Sequence, residues 1–582
     1  MSMSSFSTPI SGLQAAQAGL YVTGHNLANH HTRGYTRQMV GQSTFVSRNI
    51  GQNANGIMQV GLGTQISGIR QVRDHFLDMR WRAAAPEQTF WDVRIGTGQR
   101  LDDIFGEMHG EFRLQGVLQD LNRALHELNN EAPSIESRGN FISFAGSFIN
   151  RITGASNAMA LRQTELNDNI KAGVKRINQL TTIIDDMNKR IVTEEIGGAN
   201  ANDFRDIRNN AIDELSTLVQ ITARENSRGE INIIANGHAL LVNGNRMQMG
   251  LQFSAPGTLF VHPVFTTSDG ILPFDADVRA FYNWEMMTNM RNLPPDGSLL
   301  SMIASRGLTA ANHTSFPPVT PGAPLDPTDP LSVAEWHLYM TKQFDMAHGV
   351  IPQVQAQLDT MLNSIVTMFN NAITQPTIMP PSTVPRLPTN LAPPPYPQSH
   401  NWPVGHPDHD PSRPVADLRL FVEINEGGGF TMGNIRINPD LLGRDGPSRL
   451  PLHFDGPDDN RLVGQLIEQW GSATITMDQL GTVGAEFIQF PGWYGFSVDG
   501  FYRNFIDHMA TGTSTAMGFL AATDEEMNFV TNRRLQISGV SLEEEMSNMI
   551  RFQHAYNASA RMINTLDSMM DRIINQTGRV GL

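Results

Sequence analysis

The densest cluster of metal-ligating side chains in this 582-residue chain is His400, His406, Asp408, His409 and Asp410. Imidazoles and carboxylates this close in sequence are the donor set for a divalent ion. They stand among prolines, however: residues 376–414 hold 13 prolines in 39 positions, a stiff and non-helical insertion. Ligands on such a loop lack the rigid element and orienting partners that a metal site needs. Other chemical patterns stop short in the same way. His126-Glu127-Leu128-Asn129-Asn130 begins like the zinc motif with two histidines one helical turn apart, but Asn130 stands where the second imidazole is required. Gly495-Phe496-Ser497-Val498-Asp499 approaches a nucleophile elbow and lacks its closing glycine. Asn312-His313-Thr314 fits a glycosylation sequon, a pattern short enough to arise by chance. Phosphate-binding loops and dinucleotide fingerprints are missing. With no cysteine at all, disulfide frameworks, thiolate zinc sites and thiol nucleophiles are excluded together. The residues therefore read as no enzyme, no bound metal and no cofactor. A metal-binding or hydrolytic insertion at 400–410 is the alternative.

Charge narrows the partners. Lys and Arg total 42 against 57 Asp and Glu, a net −15. Residues 1–100 carry nine Arg and four acids, with no acid before Asp74. These arginines are scattered from Arg33 to Arg100 rather than gathered in a patch, so nucleic acid is not an expected partner. Met1 to Ser7 has neither a basic n-region nor an apolar h-region, and no run approaches 18 apolar residues. Neither a cleaved secretory signal nor membrane insertion is expected. The missing thiols suit work outside the cell.

The elements come next. Ile10, Leu13, Ala16, Leu20 and Leu27 fall on a helical stripe over 10–29, with Pro9 at its entry and Gly34 beyond its end. From Pro9 to Asn29 this helix has no Lys, Arg, Asp or Glu. Solvent-facing helices carry charge, so most of its circumference should meet protein. At the other end, Ser541-Leu542-Glu543-Glu544 has the form of a capping box. After it Met549, Tyr556, Ile563 and Met570 recur every seven residues, and Phe552, Leu566 and Ile573 form a second row broken only by Ser559. Heptad stripes recur inside: Leu114, Leu118, Leu121, Leu125 and Leu128; Ile170, Ile177, Ile184 and Ile191 with Met159, Leu166, Gly173, Leu180 and Met187; and Val354, Leu358, Met361, Ile365 and Met368. Between them the text alternates. Asn236-Gly237 and Asn243-Gly244, flanked by β-formers, predict tight hairpins, and Leu418 to Ile424 reads as a strand.

The fold class that follows is multidomain and mainly α, an elongated helical bundle with an inserted β domain and terminal helices that pair as a coiled coil. The expected units are 1–35 with 541–582; a bundle from 36–215, 350–375 and 458–540; and a β-rich outer part from 216–349 and 376–457, including the Pro-rich insertion. A smaller Pro-rich insertion falls at 312–330.

Ser11-Gly12-Leu13-Gln14-Ala15-Ala16-Gln17-Ala18-Gly19-Leu20, Asn26-Leu27-Ala28-Asn29, Thr32, Gly34-Tyr35 and Arg37-Gln38 together resemble the N-terminal signature of bacterial flagellar axial proteins, above all the FlgK family. Ser538-Gly539-Val540-Ser541-Leu542-Glu543-Glu544-Glu545, then Arg551-Phe552-Gln553 and Ala555-Tyr556, resemble that family's C-terminal signature. Ala201-Asn202-Asp203 with Ile212-Asp213-Glu214-Leu215 is similar to the helix before its β domain. Arg33 stands where the family commonly has proline, which removes a fixed φ from that turn. The resemblance implies a structural protein at the junction of hook and filament, in the extracellular flagellum, exported by the flagellar type III apparatus without a cleaved signal. Its partners would be further copies in a ring, hook protein on one side, the next junction protein or filament on the other, and an export chaperone. It also implies assembly through the terminal helices, which nominates Leu13, Leu20, Asn26, Leu27, Asn29, Gly34, Tyr35, Met549, Phe552, Tyr556, Ile563, Leu566, Met570 and Ile573. The termini would be disordered before assembly, and the uncharged face of the first helix would line a channel without trapping cargo. A hook subunit or the second junction protein is the rival within the same class.

Overall fold

The computed structural model describes the chain except for residues 1–5, 46, 54–55, 107–112, 132–133, 255–258, 268–269, 283–293, 308–309, 313–348, 375–418, 427–428, 444–445, 451–459, 473–474, 477–494 and 577–582. The chain opens with α1 (Ser7–Ala28), three residues longer at its start than the leucine stripe predicts. An antiparallel ribbon follows. β1 (Gln38–Thr44) pairs with β4 (Thr64–Gln71), and between them β2 (Ser47–Asn53) pairs with β3 (Gly56–Gly61). Hydrophobic periodicity gave no sign of this ribbon, because Gly, Ser, Thr, Asn and Gln make up most of its strands.

The bundle begins at α2 (His75–Phe105), whose start is held by the Asp74 carboxylate accepting from the amides of Phe76 and Leu77. Next come α3 (Leu114–Asn130), α4 (Ile135–Glu195) and α5 (Asn202–Leu218). At 1.5 Å per residue, α4 is about 90 Å long. One row on it, Ile142, Ile149, Ser156, Gln163, Ile170, Ile177, Ile184 and Ile191, is buried at every step of seven. The two polar members are not faults in the stripe. Ser156 donates to Ala311 O at 2.7 Å, and Gln163 donates to Arg306 O and accepts from Ala311 N, each at 2.7 Å.

A meander of β5 (Ile221–Glu225), β6 (Ile231–Ala235), β7 (His238–Val242) and β8 (Asn245–Arg246) lies beside α4 and α5. Asn236 (φ 46°) with Gly237 (φ 73°) and Asn243 (φ 50°) with Gly244 (φ 77°) make its two tight turns, where the dipeptides predict them. A second sheet joins β9 (Met249–Phe253), β10 (Val261–Phe265), β11 (Ile271–Leu272) and β12 (Arg279–Ala280) in the order β11-β9-β10-β12.

The chain then returns through α6 (Gly297–Arg306), which packs on α2 and α4, and α7 (Val350–Thr374). Of the stretch 418–424, read above as a strand, only β13 (Phe421–Val422) is extended, paired with β14 (Arg436–Ile437). Leu418 lies outside the described residues, as do the Pro-rich 376–414 and all of 312–330 except Asn312. After α8 (Arg461–Gly471) and the short pair β15 (Ile475–Thr476) and β16 (Gly495–Phe496), α9 (Val498–Ser538) runs back along α2. The contacts step antiparallel down the two helices: Arg80 to Glu526 at 2.7 Å, Gln88 to Asp524 at 2.6 Å, Trp91 stacked on Phe519, and Phe105 edge-on to Phe505. The chain closes with α10 (Leu542–Gln576). One contiguous apolar core runs from Phe90 on α2 to Met509 on α9 and takes in α3 to α8 and both four-stranded sheets. It includes no residue of α1 or α10.

Candidate functional site: the joint where the chain ends meet

The two terminal helices lie antiparallel, and glycine sets how close they come. A Cβ on Gly12 would stand 3.0 Å from Ser559 Oγ, and one on Gly19 would stand 2.6 Å from the Phe552 ring. One heptad further, Asn26 Nδ2 donates to Glu545 Oε2 at 3.1 Å. Steps of seven up α1 are matched by steps of seven down α10. Gly24, off this line, has nothing within 4 Å.

The predicted stripe and the observed seam differ by one residue per heptad. The buried face of α1 is Ala15, Ala16, Gly19, Val22, Thr23 and Asn26, while Leu13, Leu20 and Leu27 are half-buried at its border. Small side chains let the backbones approach, and the larger leucines are left at the flank. On α10, Met549, Phe552, Ile563, Leu566 and Met570 are half-buried, while Tyr556 and Ile573 are 37% and 41% exposed. The structure thus brings Phe552 onto α1 but leaves Tyr556 and Ile573 facing outward.

Below the helix pair the chain ends lock into the bundle through polar groups. Asn26 holds residue 38 with both ends of its amide: Oδ1 accepts from Gln38 N at 3.0 Å and Nδ2 donates to Gln38 O at 2.9 Å. The same Oδ1 accepts from the Tyr35 hydroxyl at 2.7 Å. That leaves His25 Nδ1, 3.0 Å from the phenol oxygen, as the donor in their contact. Burial, and then the carboxylates of Asp206, Asp203 and Glu545, push the Tyr35 phenol well above its ordinary range, so it stays a donor. Asn29 closes α1, its Nδ2 donating to His25 O at 3.0 Å. Gly34 sits at φ 79° with the Asn210 amide 2.0 Å from where a Cβ would be, so any other residue here is strained and pushes the Asn210 side chain aside.

Arg37 ties both ends together. Its Nε donates to Glu545 Oε1 at 2.9 Å, its Nη2 to Glu544 Oε1 at 2.6 Å, and its backbone N–H to Ser538 O at 2.9 Å. Glu545 is 2% exposed. Glu544, expected in the capping box, is engaged by this ion pair, in which Arg37 presents a charged donor. Next to it Asp206 accepts from Thr36 Oγ1 at 2.5 Å, Thr36 N at 3.1 Å and Gln71 Nε2 at 2.7 Å. Burial raises Asp206 to about 6 against the opposing pull of Thr36 and Arg73. Arg73 bonds Asp78, and Arg534 reaches both Asp78, at 3.0 Å, and Asp213, at 2.7 Å. α1, the ribbon, α2, α5, α9 and α10 therefore meet in one hydrogen-bonded joint. Sequence reading named Asn26, Gly34 and Tyr35 here and missed Asp206, Arg73 and Arg534. The available signal was Arg37, in a stretch with no acid before Asp74, whose carboxylates must come from elsewhere in the chain.

Ser497 and Glu127, singled out in sequence patterns of catalysis, hold structural positions. Ser497 caps α9, its Oγ accepting from Gly500 N. Glu127, on the surface of α3, accepts from Asn140. His400, His406, Asp408, His409 and Asp410 lie outside the described residues, and among the described residues no group of three or more His, Asp or Glu could hold a metal.

Comparison with known proteins matches this architecture. The family profile "Flagellar hook-associated protein FlgK helical domain" matches residues 98–267, covering the end of α2, α3 to α5 and β5 to β10. A second, "Flagellar basal body rod FlgEFG protein C-terminal", matches 531–576, the end of α9 and all of α10. Flagellar hook-associated protein 1 of Bacillus subtilis is 25% identical over 577 residues, spanning 97% of this chain and 96% of its own length. The chain is thus similar to the FlgK family of flagellar hook-associated proteins in its helical part and along nearly its whole length. The Escherichia coli flagellar hook-associated protein 1 is 23% identical over 594 residues, covering 97% of this chain and 98% of its own. The solved flagellar hook junction protein FlgK from Burkholderia pseudomallei superposes with a TM-score of 0.36 at 14% identity, over 52% of this chain and 44% of its own, a likeness too slight to argue from. Among the described residues no helix is long and apolar enough to cross a membrane.

Proposed function

We propose that this chain is a structural subunit of the junction between flagellar hook and filament, built into a ring of copies through α1 and α10. The observation that carries the reading is the state of α10. Among its described residues only Glu545 is buried, while Leu542, Met546, Ile550, Met562, Met569 and Ile574 are exposed on several sides of the helix. A helix apolar around much of its circumference is stable in water only when other chains cover it. The neutral polar character of α1 supports the same reading. Three roles follow for the chain: the ends 1–35 and 541–582 as the assembling unit, the bundle as the wall, and the β-rich segments as the outer part. Hook protein, the next junction protein, a chaperone and type III export without a cleaved signal are the partners and route this implies.

The terminal helix pair should be only partly ordered in the monomer and complete its ordering as the ring forms, since the core does not include it and an isolated pair offsets little ordering entropy. Two substitutions test the reading in cells, Tyr556→Asp and Ile563→Asp. Each should leave the monomer's thermal unfolding nearly unchanged and abolish incorporation at the hook tip, so that cells build hooks and shed filament subunit into the medium. Normal filaments on hooks carrying either variant would overturn it. Metal analysis of the purified chain addresses the alternative of a metal-binding insertion at 400–410.

A further inference from the structure

We infer that the Asn26–Glu545–Arg37 contact is a register lock, which selects one alignment of α1 on α10 from those that the heptad period of the seam allows. The inference rests on the terminal helices being the assembling unit. The apolar rows of α10 repeat every seven residues, and so do Gly12, Gly19 and Asn26 on α1. A pattern with that period can slide by one heptad and keep its apolar contacts. The polar contacts cannot slide. In the observed alignment 12 faces 559, 19 faces 552 and 26 faces 545.

Moving α10 one heptad in one direction would set Phe552 against the Asn26 amide and take Glu545 away from it. Moving it the other way would set Glu545 against Gly19, a buried carboxylate parted from Arg37. Either shift strands a buried charge or amide whose partners are fixed elsewhere, since Arg37 is bonded through its backbone to Ser538 and Val72. Gly19 adds a steric term, because the Phe552 ring occupies the place of its side chain.

The cysteine-free sequence gives a direct readout. Gly12→Cys with Ser559→Cys reports the observed register, because the two Cβ positions are 4.0 Å apart, within disulfide range. Gly12→Cys with Leu566→Cys reports the shifted one. Effective concentrations of the two disulfides, measured in the full chain in glutathione redox buffers, should favour 12–559 by about tenfold or more. Replacing the lock by apolar groups of similar size, Asn26→Leu with Glu545→Met, should bring the two within about twofold while the helix pair persists by circular dichroism. Arg37→Met alone should move the ratio in the same direction. An unchanged ratio in both variants would mean that the short connection at 539–541 sets the register and would overturn the lock. Equal values in the parent chain would also overturn it. Neither result bears on junction assembly, which the hook-tip test reads separately.

Discussion

Gly19 and Gly24 lie five residues apart on one helix, and substitution by alanine should act in opposite directions. Helix propensity alone favours alanine by about 1 kcal/mol at each. At Gly24 nothing opposes the gain, so Gly24→Ala should raise helicity and leave assembly intact. At Gly19 the new methyl meets the Phe552 ring at 2.6 Å, so Gly19→Ala should loosen the pair and lower hook-tip incorporation several-fold. Circular dichroism and filament counts check both. A second residue governs pH dependence. Asp296 is buried, accepts from Gln220 N, and burial raises it to about 7. An aspartate raised from its ordinary 3.8 contributes stability that is complete below that value and is lost as pH rises through about 7. Urea unfolding at pH 5 and pH 8 should show the parent losing roughly 2–4 kcal/mol relative to Asp296→Asn over that interval.

At the scale of elements, the recurring device is a side-chain amide acting as the edge of a strand. Asn188 donates to Ile231 O and accepts from Ile231 N, both at 3.0 Å, and Asn178 does the same to Met249 at 2.7 and 3.0 Å. Asn167 bridges Leu259 O and Val261 N, and on α7 Asn370 holds both backbone groups of Phe421. Asn26 treats Gln38 identically at the joint. The sheets are thereby fixed on α4 by hydrogen bonds as well as by burial. Asn178→Ala leaves two backbone groups of Met249 without these partners, at a cost of about 1–3 kcal/mol. Hydrogen exchange should show the loss of protection concentrated in β9 and β10, with α3 unaffected. Uniform loss across the bundle would mean that the clamp carries no local specificity.

Across the whole molecule, the core and the terminal helices are separate. The apolar core ends at Met509 and draws nothing from α1 or α10, whereas the joint that connects them is made of hydrogen bonds and ion pairs. Deleting 542–582 should therefore shift the main thermal transition by only a few degrees. It should also release protection at 26–38, where Glu544 and Glu545 no longer meet Arg37. A collapse of the main transition would show that the ends support the core after all.

What the sequence determined by itself was periodic. The heptads of α3, α4, α7 and α10 and the two Asn-Gly turns were legible because a period of 3.5 or a positive φ leaves a local mark. The FlgK signatures were legible because both ends carry contiguous motifs. Tertiary structure alone decided three things. The ribbon from Gln38 to Gln71 has too few large apolar side chains to declare a period. The seam on α1 runs along its glycines and small residues, and only the partner helix shows that these sites are filled by Phe552 and Ser559. The carboxylates of Arg37 lie more than 500 residues away. No local rule joins positions so distant, because folding brings them together only when the two ends of the chain meet.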